Sequence, residues 1–160
     1  MIGSIHADGW SVLEKKGCDV FEITDFSSDN LINKLHDVDG IALRTVKLTS
    51  NILEKCNNLK IVARHGVGYD NVDLNYLNNK GIALAITGTS NAISVAEHVM
   101  TMFLSICKMS KLSDQLVRDG KFMEKSSLTG CFELYKKNIL ILGFGRIGKA
   151  LAKRCYGFDS

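Results

Sequence analysis

Three glycines near the C-terminus are spaced as in segments that bind a phosphate-containing ligand. They are Gly143, Gly145 and Gly148, and they follow an apolar run, Asn138–Leu142. In a G-x-G-x-x-G pattern the first glycine makes a tight turn, the second lets the backbone approach a pyrophosphate, and the third lets a helix pack closely on the strand. The pattern predicts dinucleotide binding, and the alternative is a glycine turn used only for packing. The acidic residue that selects NAD over NADP is expected about 20 residues further on, beyond Ser160.

A second glycine-containing segment lies near the middle of the chain. It runs from Arg64 to Asp73 and follows another apolar run, Leu59–Ala63. If that run is a parallel strand, the N–H groups around Val67 and Gly68 lie at its carboxyl end, where open α/β sheets bind ligands. Exposed N–H groups there suit a carboxylate, whereas an ordinary strand-to-helix turn explains the same residues equally well. The residues alone leave both interpretations open.

Short apolar runs alternate with helical patterns along the chain, which is typical of βα units that build a parallel sheet. The predicted strands are Asp19–Ile23, Gly40–Arg44, Lys60–Ala63, Ile82–Ala85 and Asn138–Leu142. The predicted helices are Trp10–Lys16, Asp29–His36, Ser50–Cys56 and Leu74–Asn79. Almost no strand precedes the first helix, although a doubly wound sheet usually opens on a buried strand. We therefore predict an α/β fold whose first strand is largely missing.

A longer helix is predicted after the fourth strand. Ser94 and Glu97 have the spacing of a capping box, in which each side chain accepts a hydrogen bond from an N–H at the start of a helix. A second amphipathic segment, Met109–Val117, follows the long helix. We place the domain boundary inside the long helix, with one domain at residues 1–95 and the next at residues 96–160.

Composition excludes several classes of protein. The chain has 20 Lys and Arg against 17 Asp and Glu, a net charge of +3 without runs of like charge, which argues against a nucleic-acid partner. Five widely spaced cysteines without a C-x-x-C pair predict neither disulfides nor a metal site, and favour the cytoplasm. No signal peptide is visible, and the most apolar run, Val99–Cys107, is about half as long as a membrane span. We expect a small-molecule ligand and no membrane partner.

Three segments together carry a family resemblance. They are Arg64–Asp73, Asn91–His98 and Leu142–Gly148, and in this order and spacing they resemble the D-isomer-specific 2-hydroxyacid dehydrogenases, most closely the 3-phosphoglycerate dehydrogenase-like branch. The resemblance implies a flavodoxin-like substrate-binding domain, a hinge helix and the start of a Rossmann domain that is truncated here. It also implies that the chain is an N-terminal fragment of a longer protein, which we expect to be a homodimer.

The resemblance also assigns residues to roles. It implies that the N–H groups of Val67 and Gly68 hold the substrate carboxylate, that Arg44 binds a substrate anion such as a phosphate, and that Asn91 lies at the cleft near the hinge. The residues that it matches to the pyrophosphate loop of NAD, with NADP as the alternative, are Gly143, Gly145, Arg146, Ile147 and Gly148. The catalytic arginine, glutamate and histidine of the family lie beyond this chain. We therefore assign no catalytic residue within it. In particular, we do not take Glu97 with either His65 or His98 as a catalytic pair.

The implied activity is hydride transfer between nicotinamide and a D-2-hydroxy acid or its 2-oxo acid, as in the 3-phosphoglycerate dehydrogenases of serine biosynthesis. We expect the fragment alone to be inactive. One alternative is a hydroxypyruvate or glyoxylate reductase, which needs a grip for only one anionic group. The other is a non-catalytic dinucleotide-sensing protein similar to the corepressors of the family.

Overall fold

The chain folds into two units, Met1–Gly88 and Thr89–Ser160, in a computed structural model that describes residues 1–160. The boundary between the two units lies between Gly88 and Thr89, before the long helix. The sequence-based prediction places it inside that helix, between residues 95 and 96. The observed boundary precedes the helix because this helix, Ala92–Cys107, has its buried side chains in the core of the second unit. Each unit is described by itself below.

The first unit alternates helices and short parallel strands, as the sequence predicts. Its helices are α1 (Ala7–Lys15), α2 (Ser28–Leu35), α3 (Ser50–Leu53) and α4 (Leu74–Lys80). Its strands are β1 (Gly40–Leu43), β2 (Ile61–Arg64) and β3 (Ala83–Ile86). Gly81 follows α4 in the left-handed conformation, with a φ of 67°, so this helix ends where the sequence places its end.

The sheet of the first unit is parallel, with neighbouring strands in the order β1-β2-β3. Ile2 extends the sheet on the side of β1 that faces away from β2, because Ile2 forms isolated parallel bridges with both Leu43 and Ile23. The five chain segments therefore lie in the order 2-1-3-4-5, which is the flavodoxin-like order. The first strand is reduced to Ile2, as predicted. The predicted strand Asp19–Ile23 is wrong in length, since only Ile23 pairs with a neighbour.

The core of the first unit lies between the sheet and its helices. Leu43 and Val62 on the central strands are fully buried, and both point to the same face of the sheet, because Val62 is the register partner of Ile41, two residues before Leu43. Ile61, which points to the other face, is 41% exposed. Helices α2, α3 and α4 each contribute buried leucines, whereas α1 contributes no buried residue. The largest side chains of this core are Ile2, Leu31, Leu35, Ile41, Leu43, Leu48, Leu53, Leu77 and Val62. The packing of these side chains holds the strands in place, and with them the carboxyl ends of the strands.

The second unit is helical. Its elements are α5 (Ala92–Cys107), α6 (Ser110–Arg118), a 3₁₀ helix (Phe122–Ser127), α7 (Arg146–Cys155) and a second 3₁₀ helix (Tyr156–Phe158). The small and apolar faces of α5 and α7 pack together in a core formed by Ala96, Met100, Cys107, Leu134, Leu151 and Cys155. No single helix is long and apolar enough to cross a membrane; α5 and α6 together meet the criteria of length and composition, but they are bent by 63° at their junction.

The predicted strand Asn138–Leu142 is not a strand in this chain. Its side chains alternate as they would in a strand, with Ile139 and Ile141 partly buried against the core of the second unit and Leu140 and Leu142 exposed. However, none of the 160 residues pairs with its backbone. The apolar pattern predicts the face of an extended segment correctly, but a strand also needs a neighbouring strand to hydrogen-bond with.

The predicted capping box at the start of α5 is wrong. The N-cap is Asn91, three residues before the predicted cap, so Ser94 lies inside the first turn. Glu97 instead accepts a hydrogen bond from Arg154 Nη2 at 2.7 Å, and Arg154 lies on α7. The glutamate therefore links two helices 57 residues apart in sequence, a contact that local spacing cannot predict.

Candidate functional site

Arg44 follows β1 at the point where the strand order of the sheet reverses. Its backbone N–H donates to the carbonyl of Ile2 at 3.3 Å, so it lies between the first chain segment and the strand beside it. In open α/β sheets this switch point is where ligands bind, outside the carboxyl ends of the strands. The Arg44 side chain is exposed and takes part in no ion pair. Its guanidinium is therefore available for an anionic ligand.

The loop after β2 begins with a tight turn at Gly66. The Gly66 N–H donates to the carbonyl of Arg64 at 2.8 Å, and the Gly66 carbonyl accepts from the N–H of Thr87 at 3.1 Å. The backbone has a positive φ of 157° at Gly66, and a Cβ there would clash with the guanidinium of Arg64. The backbone conformation therefore favours glycine at this position, and a larger residue would also displace the Arg64 guanidinium.

Two side chains that the sequence analysis left without a role hold this loop. The guanidinium of Arg64 donates through Nε to Asn71 Oδ1 at 3.3 Å and through Nη1 to the His65 carbonyl. Asn71 Nδ2 donates in turn to the carbonyl of Val46 at 2.7 Å, in the segment after β1. The loop is thus tied to the neighbouring loop. An asparagine in a turn is the one sequence signal for such a contact, because its side chain readily bonds nearby backbone groups.

The N–H groups of Val67 and Gly68 donate no hydrogen bond within the protein. Val67 is partly buried and Gly68 is exposed, so the two N–H groups can reach a ligand. Successive free N–H groups of this kind make a concave site for an anion. One carboxylate lies nearby, since Asp70 Oδ2 is 3.6 Å from the point where a Cβ on Gly68 would stand.

The other glycine segment, in the second unit, has the geometry that its pattern predicts. Gly143 has a positive φ of 94°, and Gly145 is the N-cap of α7 with no other atom within 4 Å of the position of a Cβ. Gly148 is buried in the first turn, where a Cβ would overlap the carbonyl of Gly143 and lie 3.2 Å from Cγ2 of Ile141. The first glycine therefore makes the turn, the second leaves room for a ligand to approach the backbone, and the third lets α7 pack closely on the preceding segment.

The start of α7 presents N–H groups to a ligand. The Lys149 N–H is bonded to the Gly145 carbonyl at 2.9 Å, but the N–H groups of Ile147 and Gly148 have no acceptor in the backbone. Such N–H groups, together with the helix dipole, favour an anion at this end of a helix. The residues present therefore fit a pyrophosphate.

The predicted site residues fall into groups according to the unit that holds them. Arg44, Val67 and Gly68 lie at the carboxyl edge of one sheet, in the first unit. Asn91 lies in the second unit, where it is exposed and caps α5 through its backbone but not through its side chain. The five residues of the glycine segment lie together around the start of α7. No group of three or more His, Cys, Asp or Glu side chains is placed to hold a metal ion.

The family model of the "D-isomer specific 2-hydroxyacid dehydrogenase, catalytic domain" matches residues 1–146. The chain belongs to this family. The match covers the sheet of the first unit and the segment that leads to α7, so the resemblance in the three sequence segments is confirmed.

Individual relatives refine the comparison. The chain is 33% identical over 156 residues to the D-3-phosphoglycerate dehydrogenase of Archaeoglobus fulgidus, covering 97% of this chain and 29% of that protein. It is 37% identical over 131 residues to the hydroxypyruvate reductase of Thermotoga maritima, covering 81% of this chain and 42% of that protein. The chain thus spans less than half the length of both relatives.

A solved structure shows the same fold. The D-lactate dehydrogenase of Aquifex aeolicus, crystallised with NAD and lactic acid, matches with a TM-score of 0.85 at 27% identity, covering 99% of this chain and 48% of that one. The α/β fold with a parallel sheet, predicted from the alternation of apolar runs and helical patterns, is therefore confirmed.

Proposed function

We propose that the whole protein transfers a hydride between a nicotinamide cofactor and a D-2-hydroxy acid, with a phosphorylated acid of the 3-phosphoglycerate type as its substrate. The observation that carries this proposal is the pair of free N–H groups at Val67 and Gly68, at the same sheet edge as the unpaired guanidinium of Arg44. A phosphorylated hydroxy acid has two anionic groups. The pair of N–H groups and the guanidinium provide two separate binding positions for them. Similarity to D-3-phosphoglycerate dehydrogenases supports the assignment.

In this proposal the residues of the chain bind and orient. The N–H groups of Val67 and Gly68 hold the carboxylate, so that the hydroxyl-bearing carbon has a fixed position relative to the sheet edge. Arg44 pairs with the second anion through its planar guanidinium, whose geometry matches phosphate oxygens. Asn91 is proposed as a further substrate contact. We assign none of the 160 residues a catalytic role, and we expect the chain alone to show no turnover.

The glycine segment around α7 is proposed as the grip for the cofactor pyrophosphate. Gly145 leaves the backbone open to approach, and the first turn of α7 offers free N–H groups at Ile147 and Gly148. Gly143 and Arg146 complete the set. The cofactor, when bound, supplies the nicotinamide carbon that gives or takes the hydride. NAD is the proposed form and NADP the alternative.

A hydroxypyruvate reductase is the second candidate, favoured by the 37% identity to the Thermotoga maritima enzyme. Such a substrate has a carboxylate but no phosphate, and it would use the Val67 and Gly68 grip alone. The cytoplasmic location and the homodimer remain predictions from the sequence.

The role of Arg44 separates the two candidates. We expect the isotope-labelled chain to bind 3-phosphoglycerate with shifts of the Val67 and Gly68 amide signals, and Arg44→Ala to weaken that binding about tenfold, since a hydrogen bond to a charged group contributes about 1.5–3 kcal/mol. Binding of hydroxypyruvate is expected to change little. Lys60→Ala is the matched control, because Lys60 is an exposed cation at the amino-terminal edge of the same sheet, paired with Asp39 at 2.6 Å. Equal weakening in both variants would contradict the proposal.

A further inference from the structure

His65 lies beside Arg44 at the carboxyl edge of the sheet. Leu43 and Arg64 are register partners on β1 and β2, so Arg44 and His65 occupy the next position of the same ladder. The His65 N–H donates to the Leu43 carbonyl at 2.8 Å, which shows that the pairing continues to this point. Neighbouring parallel strands lie about 4.8 Å apart, and register partners present their side chains to the same face. The two side chains therefore project from adjacent positions.

The imidazole of His65 is exposed and has no ion pair or hydrogen bond. Two of the other histidines are engaged locally: His6 Nδ1 accepts from the Asp8 N–H at 3.4 Å, and His36 Nδ1 lies 2.8 Å from the Asn33 carbonyl oxygen. His65 lies two residues before Val67, the first of the two residues with free N–H groups. The His65 imidazole therefore lies at the proposed anion site without a hydrogen-bond partner in the protein.

The charges around His65 are mixed, with cations in excess. Arg44 and Lys47 stand after β1, and Arg64 stands beside His65 on β2, with its guanidinium bonded to the His65 carbonyl. The β2 loop also carries Tyr69, Asp70 and Asp73, and the segment after Ile2 carries His6, whereas the residues after β3, Thr87 and Gly88, bear no charge. Asp73 is occupied as the N-cap of α4, since its side chain accepts from the Tyr76 N–H at 3.0 Å. Asp70 is thus the one carboxylate of this loop that is not engaged as a cap.

We propose that His65 is a binding residue for the phosphate of the substrate and acts together with Arg44. This proposal rests on the proposed function, in which Val67 and Gly68 hold the carboxylate. The protonated ring donates to a phosphate oxygen, and a charge-assisted hydrogen bond of this kind is stronger than a neutral one. A histidine ring carries a positive charge only when it is protonated, so the contribution of His65 to phosphate binding increases as the pH falls. A 2-oxo acid without a phosphate does not reach His65 and gains nothing.

The test compares two ligands with the 160-residue chain. The probes are 3-phosphoglycerate and glyoxylate, titrated at about pH 6 and about pH 8. We expect His65→Gln to bind 3-phosphoglycerate about tenfold more weakly than the unaltered chain at the lower pH and nearly equally at the higher pH. His65→Lys is expected to keep tight binding at both. Glyoxylate binding is expected to be the same in all variants.

His36→Gln is the matched control, because His36 is an exposed histidine that precedes β1 and so lies at the opposite edge of the sheet. The ionisation of the phosphate itself is identical in every variant, so the comparison between variants isolates the histidine. If the unaltered chain binds neither acid, the proposed function and the role of His65 both fall. If it binds 3-phosphoglycerate with shifts at Val67 and Gly68 but His65→Gln behaves as His36→Gln does, only the role of His65 falls. An equal loss of glyoxylate binding in His65→Gln would also overturn it.

Discussion

A single carboxylate opposes the anion site at the edge of the sheet. Asp70 follows Gly68 by two residues, and its Oδ2 lies close to the Gly68 backbone, whose N–H is free. A negative charge there repels a ligand carboxylate and weakens its binding. The same charge disfavours adventitious anions. The site therefore depends on the positive charge of Arg44 to remain attractive to anions.

Removing the Asp70 charge should strengthen anion binding. We expect Asp70→Asn to tighten 3-phosphoglycerate binding by about two- to fivefold, the range of an exposed charge pair. Titration calorimetry at low ionic strength measures the change, and added salt should diminish it. Asp19→Asn serves as the control, since Asp19 is an exposed carboxylate outside the loop. Unchanged or weaker binding by Asp70→Asn would show that this carboxylate does not face the ligand.

At the scale of elements, the helices and strands that were predicted correctly are those whose signals are local. The strands β1, β2 and β3 and the stop of α4 at Gly81 follow from apolar runs and a single glycine. Two of the predictions that were wrong depended on contacts between residues far apart in sequence. Asn138–Leu142 has the alternation of a strand but no partner, and Glu97 has the spacing of a cap but pairs with Arg154.

The candidate site divides in the same way. Glycine spacing after an apolar run is a local pattern, and it indicated exposed N–H groups around Val67 and Gly68 while leaving an ordinary turn as an equal alternative. The sequence did not predict that Asn71 ties this loop to Val46, which is 25 residues away, nor that Arg64 braces the turn. The contact between Asn71 and Val46 forms because β1 and β2 are neighbours in the sheet, whereas the contact between Arg64 and Asn71 lies within the loop after β2.

The packing of α7 on its preceding turn is the element-scale feature most open to test. A methyl group at Gly148 would overlap the Gly143 carbonyl, so we expect Gly148→Ala to destabilise the second unit by about 1–3 kcal/mol, the usual cost of overpacking. Thermal unfolding followed by circular dichroism measures the loss. If the glycine segment binds the cofactor pyrophosphate as proposed, added NAD should stabilise the unaltered chain more than the variant.

Gly157→Ala provides the control for this change. Gly157 lies in the 3₁₀ helix after α7, and no atom lies within 4 Å of the position of a Cβ there. A glycine-to-alanine change at this site should leave the midpoint of unfolding nearly unchanged. If both variants unfold alike, the close approach at Gly148 does not limit stability.

At the scale of the whole molecule, the five cysteines report on the two units separately. All five are free, with Cys18 and Cys131 exposed and Cys56, Cys107 and Cys155 buried. Burial raises the pKa of the Cys56 and Cys155 thiols, which lowers their fraction of reactive thiolate further. Cys56 belongs to the first unit and Cys155 to the second.

A thiol reagent at neutral pH should therefore modify two cysteines rapidly and three slowly. Mass spectrometry of the modified peptides is expected to place the fast sites at Cys18 and Cys131. The slow sites should react only as each unit opens, so Cys56 and Cys155 give separate rates for the two. A variant with Cys18→Ser and Cys131→Ser should lose the fast phase alone. Rapid modification of Cys56 in the unaltered chain would show that the first unit is open in solution.

The tether from Arg64 through Asn71 to Val46 has a consequence for the kinetics of binding. The loop is held by hydrogen bonds on both sides, by the Asn71 side chain and by the Thr87 N–H on Gly66. Its conformational entropy is therefore lost when the protein folds, and little remains to be lost when a ligand arrives. A substrate should meet a rigid receptor, so its association rate should follow diffusion and electrostatic attraction instead of the time that a loop needs to order.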